Sequence, residues 1–431
     1  MSRRVVITGI GWITPLGHDI ETVWKRLLNG ESGVAPITIF DAGTFPTQFA
    51  AEVKNFDLAE FLGQRYEEYK HCSHNAGFAL AAAELAWKDA GLNGAPPADP
   101  SMVGVYLGGG EAPIDFDNFA KAAVQGWDAE NQTLDAVRWA EAAYELLDAV
   151  TELEQDPNCA AGHIACRFNA RGPNLNTLTA CAASTQAMGE ATALIRRGDA
   201  DVIISGGQHS MIHPLGVTGF NRLTTLSTRN DSCQTASRPF DRTRDGFVLG
   251  EGAGMLILEE LEIARERGAR ILAEIVGFGS TSDAFRITDI HEDGRGSMAA
   301  MRTALADADM SPEEIDYISA HGTSTEENDK IETKAVRGVF GDYAEKVPIS
   351  SVKSMFGHLI AAAGAVEMIT CILAIRDGMI PPTINYANPD PNCPLDYVPN
   401  KARRAPVRAA LSNSFGFGGQ NDTLIVRKFE S

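Results

Sequence analysis

The sequence predicts an α/β fold with an internal duplication and an additional helical insertion around 111–165. Three observations support this prediction. Short apolar runs typical of buried strands alternate with segments of helical periodicity along most of the chain. The order strand, helix, strand, strand, helix, strand, strand occurs twice, with a boundary near Gly268, and such repetition indicates duplication. Within 111–165 the chain is instead acidic and helical, so we expect an insertion that lies over the core.

The first half, residues 1–268, opens with a strand predicted at 4–11. Its apolar start resembles a signal peptide, but Gly9, Gly11 and Pro15 interrupt the apolar run. This interruption favours a strand followed by a turn. The other elements predicted in this half are helices at 21–28, 73–90 and 186–197 and strands at 103–107, 175–180, 202–207 and 252–258.

The second half, residues 269–431, repeats this order of elements. Its predicted strands are at 271–278, 315–320, 347–352 and 420–426, and its predicted helices are at 297–308 and 357–375. The last helix of each half ends alike, at Gly198 and at Gly378, as glycine commonly ends helices. In a duplicated α/β fold, sites form outside the carboxyl ends of equivalent, converging strands. We therefore expect the region after Ala180 to lie opposite the region after Val352.

The composition is that of a globular protein of enzyme size. Of 431 residues, 44% are hydrophobic and 22% are charged, which is enough for one large core or two medium ones. A formal net charge of −20 argues against nucleic acid as a partner, because phosphate binding needs clustered Lys and Arg. No stretch approaches the ~20 apolar residues of a membrane span. Seven scattered cysteines indicate a reducing compartment, so we expect a cytoplasmic protein.

Cys181 is the first candidate for chemistry, because it lies where a predicted strand passes into a predicted helix. The unpaired N–H groups and the dipole at a helix start favour a thiolate over a thiol. The alternative is that Cys181 is a small buried hydrophobic residue, as most free cysteines are. This stretch alone leaves both interpretations open.

Two histidines stand near strand ends in the second half. His321 follows the strand at 315–320, and His358 opens the apolar helix. One such histidine is usually a satisfied polar residue, but two that are predicted to face a cysteine favour acyl transfer through a thioester. Glu367 is embedded in the same apolar helix and needs a cation, for which Lys353 is the obvious candidate. We interpret this pair as structural rather than as a participant in the chemistry.

Four ordered blocks carry a family resemblance that spans essentially the whole chain. They are TACAAS at 179–184, AHGTST at 320–325, KSMFGH at 353–358 and NSFGFGG at 413–419. These blocks resemble the signatures of the β-ketoacyl-[acyl carrier protein] synthases, in the elongating type I/II branch of the thiolase-like superfamily and closest to type II. The resemblance implies a thiolase-like fold of five layers, αβαβα, with the nucleophile in 1–268 and the two histidines in 269–431.

The resemblance also implies an acyltransferase with a Cys-His-His site. Cys181 would take an acyl chain as a thioester from the phosphopantetheine of an acyl carrier protein. His321 and His358 would promote decarboxylation of a malonyl carrier, and the carbanion would attack the acyl-Cys181 thioester to give a 3-oxoacyl product. Thiolases use a second cysteine as general base, so a histidine at 358 favours the decarboxylative reaction.

Further roles follow from the same resemblance. Lys353 and Glu367 would support the catalytic residues, and the backbone N–H groups of Cys181 and Phe417 would form the oxyanion hole. Phe417 would also be the gate of the acyl tunnel, and Thr323 and Thr325 would bind pantetheine. The acyl-pocket candidates are Glu111, Phe220, Phe356 and Phe417, and the carrier-docking candidates are Arg65, Lys70, Arg222 and Arg229. No metal and no diffusible cofactor are expected, and the expected assembly is a homodimer.

Departures from the family pattern leave the pathway open. Phe356 and Gln420 stand where threonine is common, and Glu111 stands where an apolar residue is common. The insertion is longer and more acidic than usual, and segment 64–70 is less basic than the carrier-docking helix of bacterial fatty-acid synthases. Ordinary fatty-acid elongation and a specialised lipid or polyketide-like pathway both agree with these features.

Two other classes of function share this fold. A non-catalytic, chain-length-determining partner subunit of a heterodimeric ketosynthase usually lacks the nucleophile, whereas this chain has Cys181. A non-decarboxylating thiolase or a binding-only protein is disfavoured by His358. Release of CO2 from a malonyl carrier separates these functions.

Overall fold

The computed structural model describes residues 3–110 and 114–430. Its strands are β1 (Val5–Ile13), β2 (Ala35–Pro36), β3 (Phe49–Ala50), β4 (Val103–Gly109), β5 (Trp127–Asp128), β6 (Thr133–Leu134), β7 (Asn174–Thr177), β8 (Val202–His209), β9 (Gly252–Glu260), β10 (Ala273–Ser282), β11 (Tyr317–Ser319), β12 (Ile349–Ser350), β13 (Met379–Ile380), β14 (Arg403–Arg404), β15 (Ala409–Gly416) and β16 (Gln420–Arg427). Its α-helices are α1 (Ile20–Leu28), α2 (Leu58–Leu62), α3 (Tyr66–Tyr69), α4 (His74–Asp89), α5 (Phe116–Gln125), α6 (Ala136–Leu146), α7 (Ala149–Leu153), α8 (Cys159–Phe168), α9 (Ala183–Arg197), α10 (Pro214–Arg222), α11 (Leu261–Glu266), α12 (Arg295–Ala308), α13 (Glu326–Phe340), α14 (Lys353–Phe356) and α15 (Ala363–Asp377).

The described residues form a central mixed sheet of ten strands. Its order is β12-β11-β15-β16-β10-β1-β9-β8-β4-β7, so each half of the chain supplies five neighbouring strands. The halves join where β1 pairs antiparallel with β10, with Val5 opposite Ile275. The predicted duplication is confirmed, and this pairing makes the two half-sheets continuous.

Helices cover the sheet in layers. On the outside, α4 packs on β1 and β9 in the first half, and α12 packs on β10 and β16 in the second. Between the half-sheets lie α9 and α15, which contact each other; α9 packs mainly on β8 and β4, and α15 packs mainly on β15 and β9. The result is the predicted five-layered αβαβα architecture. Because α15 lies in the central layer, its residues from Ala363 to Ile375 are buried on every face. No helix of the described residues has the length and hydropathy to cross a membrane.

The two central helices begin in the same way. Ala180 and Ile360 have positive φ angles of 49° and 43°. Each is the first residue of a 3₁₀ turn, after which α9 or α15 begins. The start predicted for the second helix is therefore too early, because left-handed backbone at Ile360 cannot continue an α-helix. His358 lies in the turn that precedes this point.

The helical insertion is shorter than the predicted 111–165. Helices α5 and α6 pack mainly on each other around alanines such as Ala122, and they form a small cluster of their own. Helix α8 instead packs on α4 and β4, and its Ile164 is fully buried in a main core. The assignment of α8 to the insertion is wrong, because its small apolar face allows close packing on α4.

Candidate active site

Cys181 lies between β7 and α9, in the 3₁₀ turn Ala180–Ala182. The parallel strands β7 and β4 direct their carboxyl ends to the same edge, where the chain turns into α9. Gly416 of the second half lies against this turn, since a Cβ at Gly416 would come within 3.2 Å of the Cys181 backbone nitrogen. The Cys181 side chain, 6% exposed, is therefore enclosed where the two halves meet.

Burial, and not the helix start, determines the protonation of Cys181. Loss of hydration raises the pKa of the thiol to about 11, although Lys353 and the backbone N–H groups of Phe417 and Cys181 act in the opposite direction. The thiol is therefore the dominant form at neutral pH, and the helix start does not outweigh burial. The sulfur has to lose its proton as it attacks a substrate.

His321 and His358 meet Cys181 from the second half. A ring nitrogen of each histidine and the Cys181 sulfur lie within 4.8 Å of one another. The two imidazole centroids are 5.4 Å apart in an edge-to-face arrangement. Burial lowers the pKa of both histidines well below the ordinary value, and the charge of Lys353 adds to this effect. Both rings are thus neutral at pH 7.

Hydrogen bonds fix the tautomer of each ring. The backbone N–H of Ile360 donates to His358 Nδ1 at 3.2 Å, and the Lys353 ammonium donates to His321 Nδ1 at 3.5 Å. A neutral imidazole has one donor and one acceptor, so both rings carry their proton on Nε2. Nε2 of His358 has no partner among the residues that the structure describes. Each ring therefore offers an Nε2–H group to a substrate oxygen.

Lys353 and Glu367 form a buried ion pair that joins α14 to α15. Burial raises the pKa of Glu367 to about 7, against the opposing effect of the Lys353 charge. The same ammonium reaches His321, as described above. The pair therefore fixes the position of the turn that carries His358 relative to the His321 ring.

Glu332, which holds the turn of His321, is not among the candidates predicted from the sequence. The Glu332 carboxylate accepts hydrogen bonds from the backbone N–H groups of His321 and Gly322, both at 2.8 Å. Asn413 Nδ2 donates to it at 3.3 Å. Burial nevertheless raises the pKa of Glu332 to about 7. The available signal was a glutamate on the apolar face of α13, where a carboxylate needs donors.

Two cavities meet at Cys181. The first, called here the entrance cavity, has a volume of about 360 Å³ and is lined by residues that include Thr323, Thr325, His321 and His358. The second, the inner cavity, has a volume of about 410 Å³ and is lined by residues that include Leu178, His209, Met211 and Phe220. Cys181, Ile360 and Phe417 line both cavities. A chain bound through the sulfur can thus occupy one cavity while a second substrate occupies the other.

Most of the residues predicted to line the acyl pocket or to bind pantetheine lie on the walls of the two cavities, but one lies in the core. Phe220 and Phe417 line the inner cavity, and the hydroxyl groups of Thr323 and Thr325, on the entrance cavity, are 2.9 Å apart. The assignment of Phe356 to the acyl pocket is wrong, because α14 directs its ring into the main core, edge-to-face on Trp12. The remaining candidate, Glu111, lies outside the described residues.

The predicted docking residues lie in two places. Arg222 is in the last turn of α10, and the residues that follow it line the entrance cavity. Arg229 lies a few residues further along the chain. Arg65 and Lys70 line neither cavity, and each forms a 2.8 Å ion pair with a glutamate three residues away. Arg222 is thus adjacent in sequence to residues of the entrance cavity, but neither Arg222 nor Arg229 lines it.

Comparison with known sequences gives full-length matches. The chain matches the family models "Beta-ketoacyl synthase, N-terminal domain" over residues 2–264 and "Beta-ketoacyl synthase, C-terminal domain" over residues 272–387. It is 42% identical over 434 residues to "3-oxoacyl-[acyl-carrier-protein] synthase 2" of Coxiella burnetii, with 99% of each chain covered. It is 40% identical over 431 residues to the protein of that name from Staphylococcus aureus (strain COL), covering 100% of this chain and 99% of the relative.

Solved structures agree with these matches. A beta-ketoacyl synthase from Burkholderia phymatum STM815 aligns with a TM-score of 0.88 at 33% identity, covering 99% of this chain and 100% of that one. A ketosynthase described as in complex with its type II PKS acyl-carrier protein and bound to the hexaketide aligns with a TM-score of 0.87 at 34% identity, over 100% of both chains. The resemblance carried by the four sequence blocks is thereby confirmed, and the chain belongs to the β-ketoacyl synthase family.

Proposed function

We propose that the protein is a 3-oxoacyl-[acyl carrier protein] synthase, an acyltransferase that condenses an acyl thioester with a malonyl thioester and releases CO2. The observation that carries the proposal is the approach of the Cys181 sulfur to two neutral imidazoles, within 4.8 Å, where the two cavities meet. Relatives at 40–42% identity are named 3-oxoacyl-[acyl-carrier-protein] synthase 2, and this supports the same reaction. The chain-length-determining partner subunit is not favoured.

In the first step, the Cys181 sulfur attacks the carbonyl carbon of an acyl-pantetheine thioester. The new bond joins the acyl carbon to Sγ, the bond from that carbon to the pantetheine sulfur breaks, and pantetheine leaves as a thiol with the proton lost by Cys181. The backbone N–H groups of Cys181 and Phe417 lie at the sulfur, and this supports their assignment as the oxyanion hole. The acyl chain then occupies the inner cavity.

In the second step, a malonyl thioester in the entrance cavity loses its carboxylate as CO2. The electron pair of the broken C–C bond forms an enolate, whose oxygen accepts hydrogen bonds from the Nε2–H groups of His321 and His358. The enolate carbon attacks the acyl-Cys181 carbonyl, a C–C bond forms, and the C–S bond to Cys181 breaks. The released thiolate takes a proton from solvent, which restores the thiol and balances the cycle.

The reaction is tested with an acyl carrier protein that bears a carboxyl-labelled malonyl group. We expect labelled CO2 and a carrier-bound 3-oxoacyl product from the wild-type protein. His321→Ala and His358→Ala should both abolish CO2 release, whereas His71→Ala, at an exposed histidine, should not change it. Absence of CO2 with every carrier tested would contradict the proposal and favour a non-catalytic partner subunit.

We propose that the acyl carrier protein docks beside Arg222 and Arg229. The net charge of −20 repels an acidic carrier, so a local basic patch next to the entrance has to supply the attraction. Arg65 and Lys70 are weaker candidates, because neighbouring glutamates offset their charges. Arg222→Glu should raise KM for a malonyl carrier about tenfold and leave KM for malonyl-pantetheine unchanged. Equal effects on both substrates would contradict carrier docking at this patch.

We also propose a homodimer that forms at the edge of the sheet beside β7. This strand is the last in the sheet, and an open edge is able to pair with another chain. Leu175 and Leu178 at this edge are 42% and 50% exposed, and Val124 and Tyr144 of the nearby insertion are exposed as well. Leu178→Glu should shift the mass measured by light scattering from dimer to monomer. A wild-type monomer, or a dimer that persists in the variant, would contradict this interface.

The division of the chain into halves at 268 stays a prediction, which the ends of the matched family models at 264 and 272 support. A cytoplasmic location likewise rests on the cysteine pattern alone. Thr323 and Thr325 are proposed to bind pantetheine, because their hydroxyl groups line the entrance cavity. No diffusible cofactor enters the proposed reaction.

A further inference from the structure

The inner cavity has a polar wall that the condensation reaction does not use. His209, the last residue of β8, is 4% exposed and lines this cavity together with Cys181. Neither of its ring nitrogens has a hydrogen-bond partner among the described residues. Thr179 lines the same cavity, and its buried Oγ1 also lacks a partner among them. Buried polar atoms are nearly always paired, so two such side chains facing one cavity point to a ligand with polar groups.

The surroundings of His209 define what it can bind. A Cβ at Gly110 would lie 3.2 Å from His209 Nδ1, so glycine backbone borders this nitrogen. Burial lowers the pKa of His209 to about 3, with a smaller effect from His213. The ring is therefore neutral at pH 7 and offers one N–H donor and one acceptor nitrogen. The next residue, Ser210, differs because its hydroxyl donates to Glu251 at 2.6 Å.

The rest of the inner cavity is largely apolar. Leu178, Met211, Phe220 and Ile360 line it, so most of an acyl chain would pack against hydrophobic side chains. The polar contribution is thus confined to a few positions on one side. Such an arrangement, an apolar pocket with a small number of placed polar groups, is typical of sites that select a ligand by the position of its functional group.

We propose that the inner cavity selects acyl chains that carry a hydroxyl or keto oxygen, which pairs with His209 and Thr179, over plain alkyl chains. The inference rests on the proposed function, because the chain reaches this cavity as the thioester of Cys181. A keto oxygen accepts from the imidazole N–H, and a hydroxyl group is able to pair with either ring nitrogen. An alkyl chain instead displaces water and leaves the imidazole unpaired, which lowers its affinity.

The test compares acylation of Cys181 by pantetheine thioesters of decanoic acid and of hydroxydecanoic acids that differ in the position of the hydroxyl group. The rate is followed by intact protein mass, so no carrier protein is needed. We expect at least one hydroxydecanoyl thioester to react roughly 10- to 100-fold faster than decanoyl pantetheine. His209→Leu should remove this preference by slowing the hydroxy substrate while decanoyl reacts at least as fast as before.

Two further variants separate the loss of a hydrogen bond from a non-specific effect of the substitution on the protein. His209→Gln keeps a donor and an acceptor and should retain part of the preference. His71→Leu, the same substitution at an exposed histidine outside both cavities, should retain all of it. If His209→Leu does not fold, Thr179→Val alters the same wall and is expected to lower the preference in the same direction.

The outcomes distinguish this inference from the proposed function. Equal reactivity of the hydroxy and alkyl substrates, or an unchanged preference in His209→Leu, would overturn the selection of oxygenated chains. In both cases acylation of Cys181 would still be observed, and the condensation reaction would stand. Failure of every thioester to acylate Cys181 would contradict the proposed function, and the inference with it.

Discussion

Glu332→Gln tests whether the carboxylate under the His321 turn positions the catalytic ring. Glu332 comes from α13 and accepts the backbone N–H groups of His321 and Gly322, both at 2.8 Å. It does not line either cavity, so its effect has to pass through the turn. Cys181 is held by the other half of the chain, at the start of α9. The substitution should therefore affect the two half-reactions differently.

The magnitude follows from the lost hydrogen bond. Glutamine keeps one acceptor oxygen, but its NH2 group would face the second backbone N–H. One buried donor then lacks a partner, which costs about 1–3 kcal/mol of unfolding free energy. A similar free energy, applied to the placement of the His321 ring, slows decarboxylation by roughly 10- to 100-fold, since about 1.4 kcal/mol corresponds to a factor of ten.

The assay measures both half-reactions in the same preparations. Acylation of Cys181 is followed by intact mass, and decarboxylation is followed by CO2 release from a malonyl thioester. We expect Glu332→Gln to slow decarboxylation much more than acylation. The matched control is Glu345→Gln, at an exposed glutamate that follows α13 and pairs with Arg337 of α13; it should change neither rate. Equal losses in both half-reactions, or an unchanged rate of decarboxylation, would refute the positioning role.

Three other predictions test the neighbouring parts of the site. Glu367→Gln leaves the buried Lys353 without its counter-charge and should lower the unfolding free energy by about 3–5 kcal/mol in urea titration; an unchanged midpoint would contradict a stabilising pair. Because burial raises the pKa of the Cys181 thiol to about 11, alkylation by iodoacetamide should accelerate about tenfold per pH unit from neutral pH to about pH 10, whereas a plateau below pH 8 would indicate a thiolate. Gly416→Ala would bring a Cβ to 2.8 Å from the Thr179 carbonyl oxygen, so it should cost about 1–3 kcal/mol and slow acylation; normal melting and acylation would show that the turn adapts.

Much of the fold was predictable because its signals are local. Apolar runs, glycine stops and the repeated order of elements gave the duplicated α/β architecture, and they placed Cys181 and both histidines at strand ends. The meeting of these three side chains follows from the duplication, which the sheet order confirms. The roles assigned to them remain predictions.

The features that the sequence analysis missed depend on contacts between distant parts of the chain. The left-handed Ile360, which delays the start of α15, belongs to a 3₁₀ turn that packs against β8 and the Cys181 turn of the first half. The protonation of Cys181 depends on burial by surrounding elements, which outweighs the local helix start. Phe356 points into the core because of its packing on Trp12. Glu332 and His209 need the assembled turn and cavity before their roles become visible.

The most direct test of the central claim is the intact mass of the protein after incubation with a series of acyl thioesters, compared with Cys181→Ala. We expect one acyl adduct per chain in the wild type and none in the variant. We also expect Cys181→Ala to release CO2 from a malonyl thioester, because both histidines remain in place. An adduct that persists in Cys181→Ala, or no adduct with any thioester, would contradict Cys181 as the nucleophile.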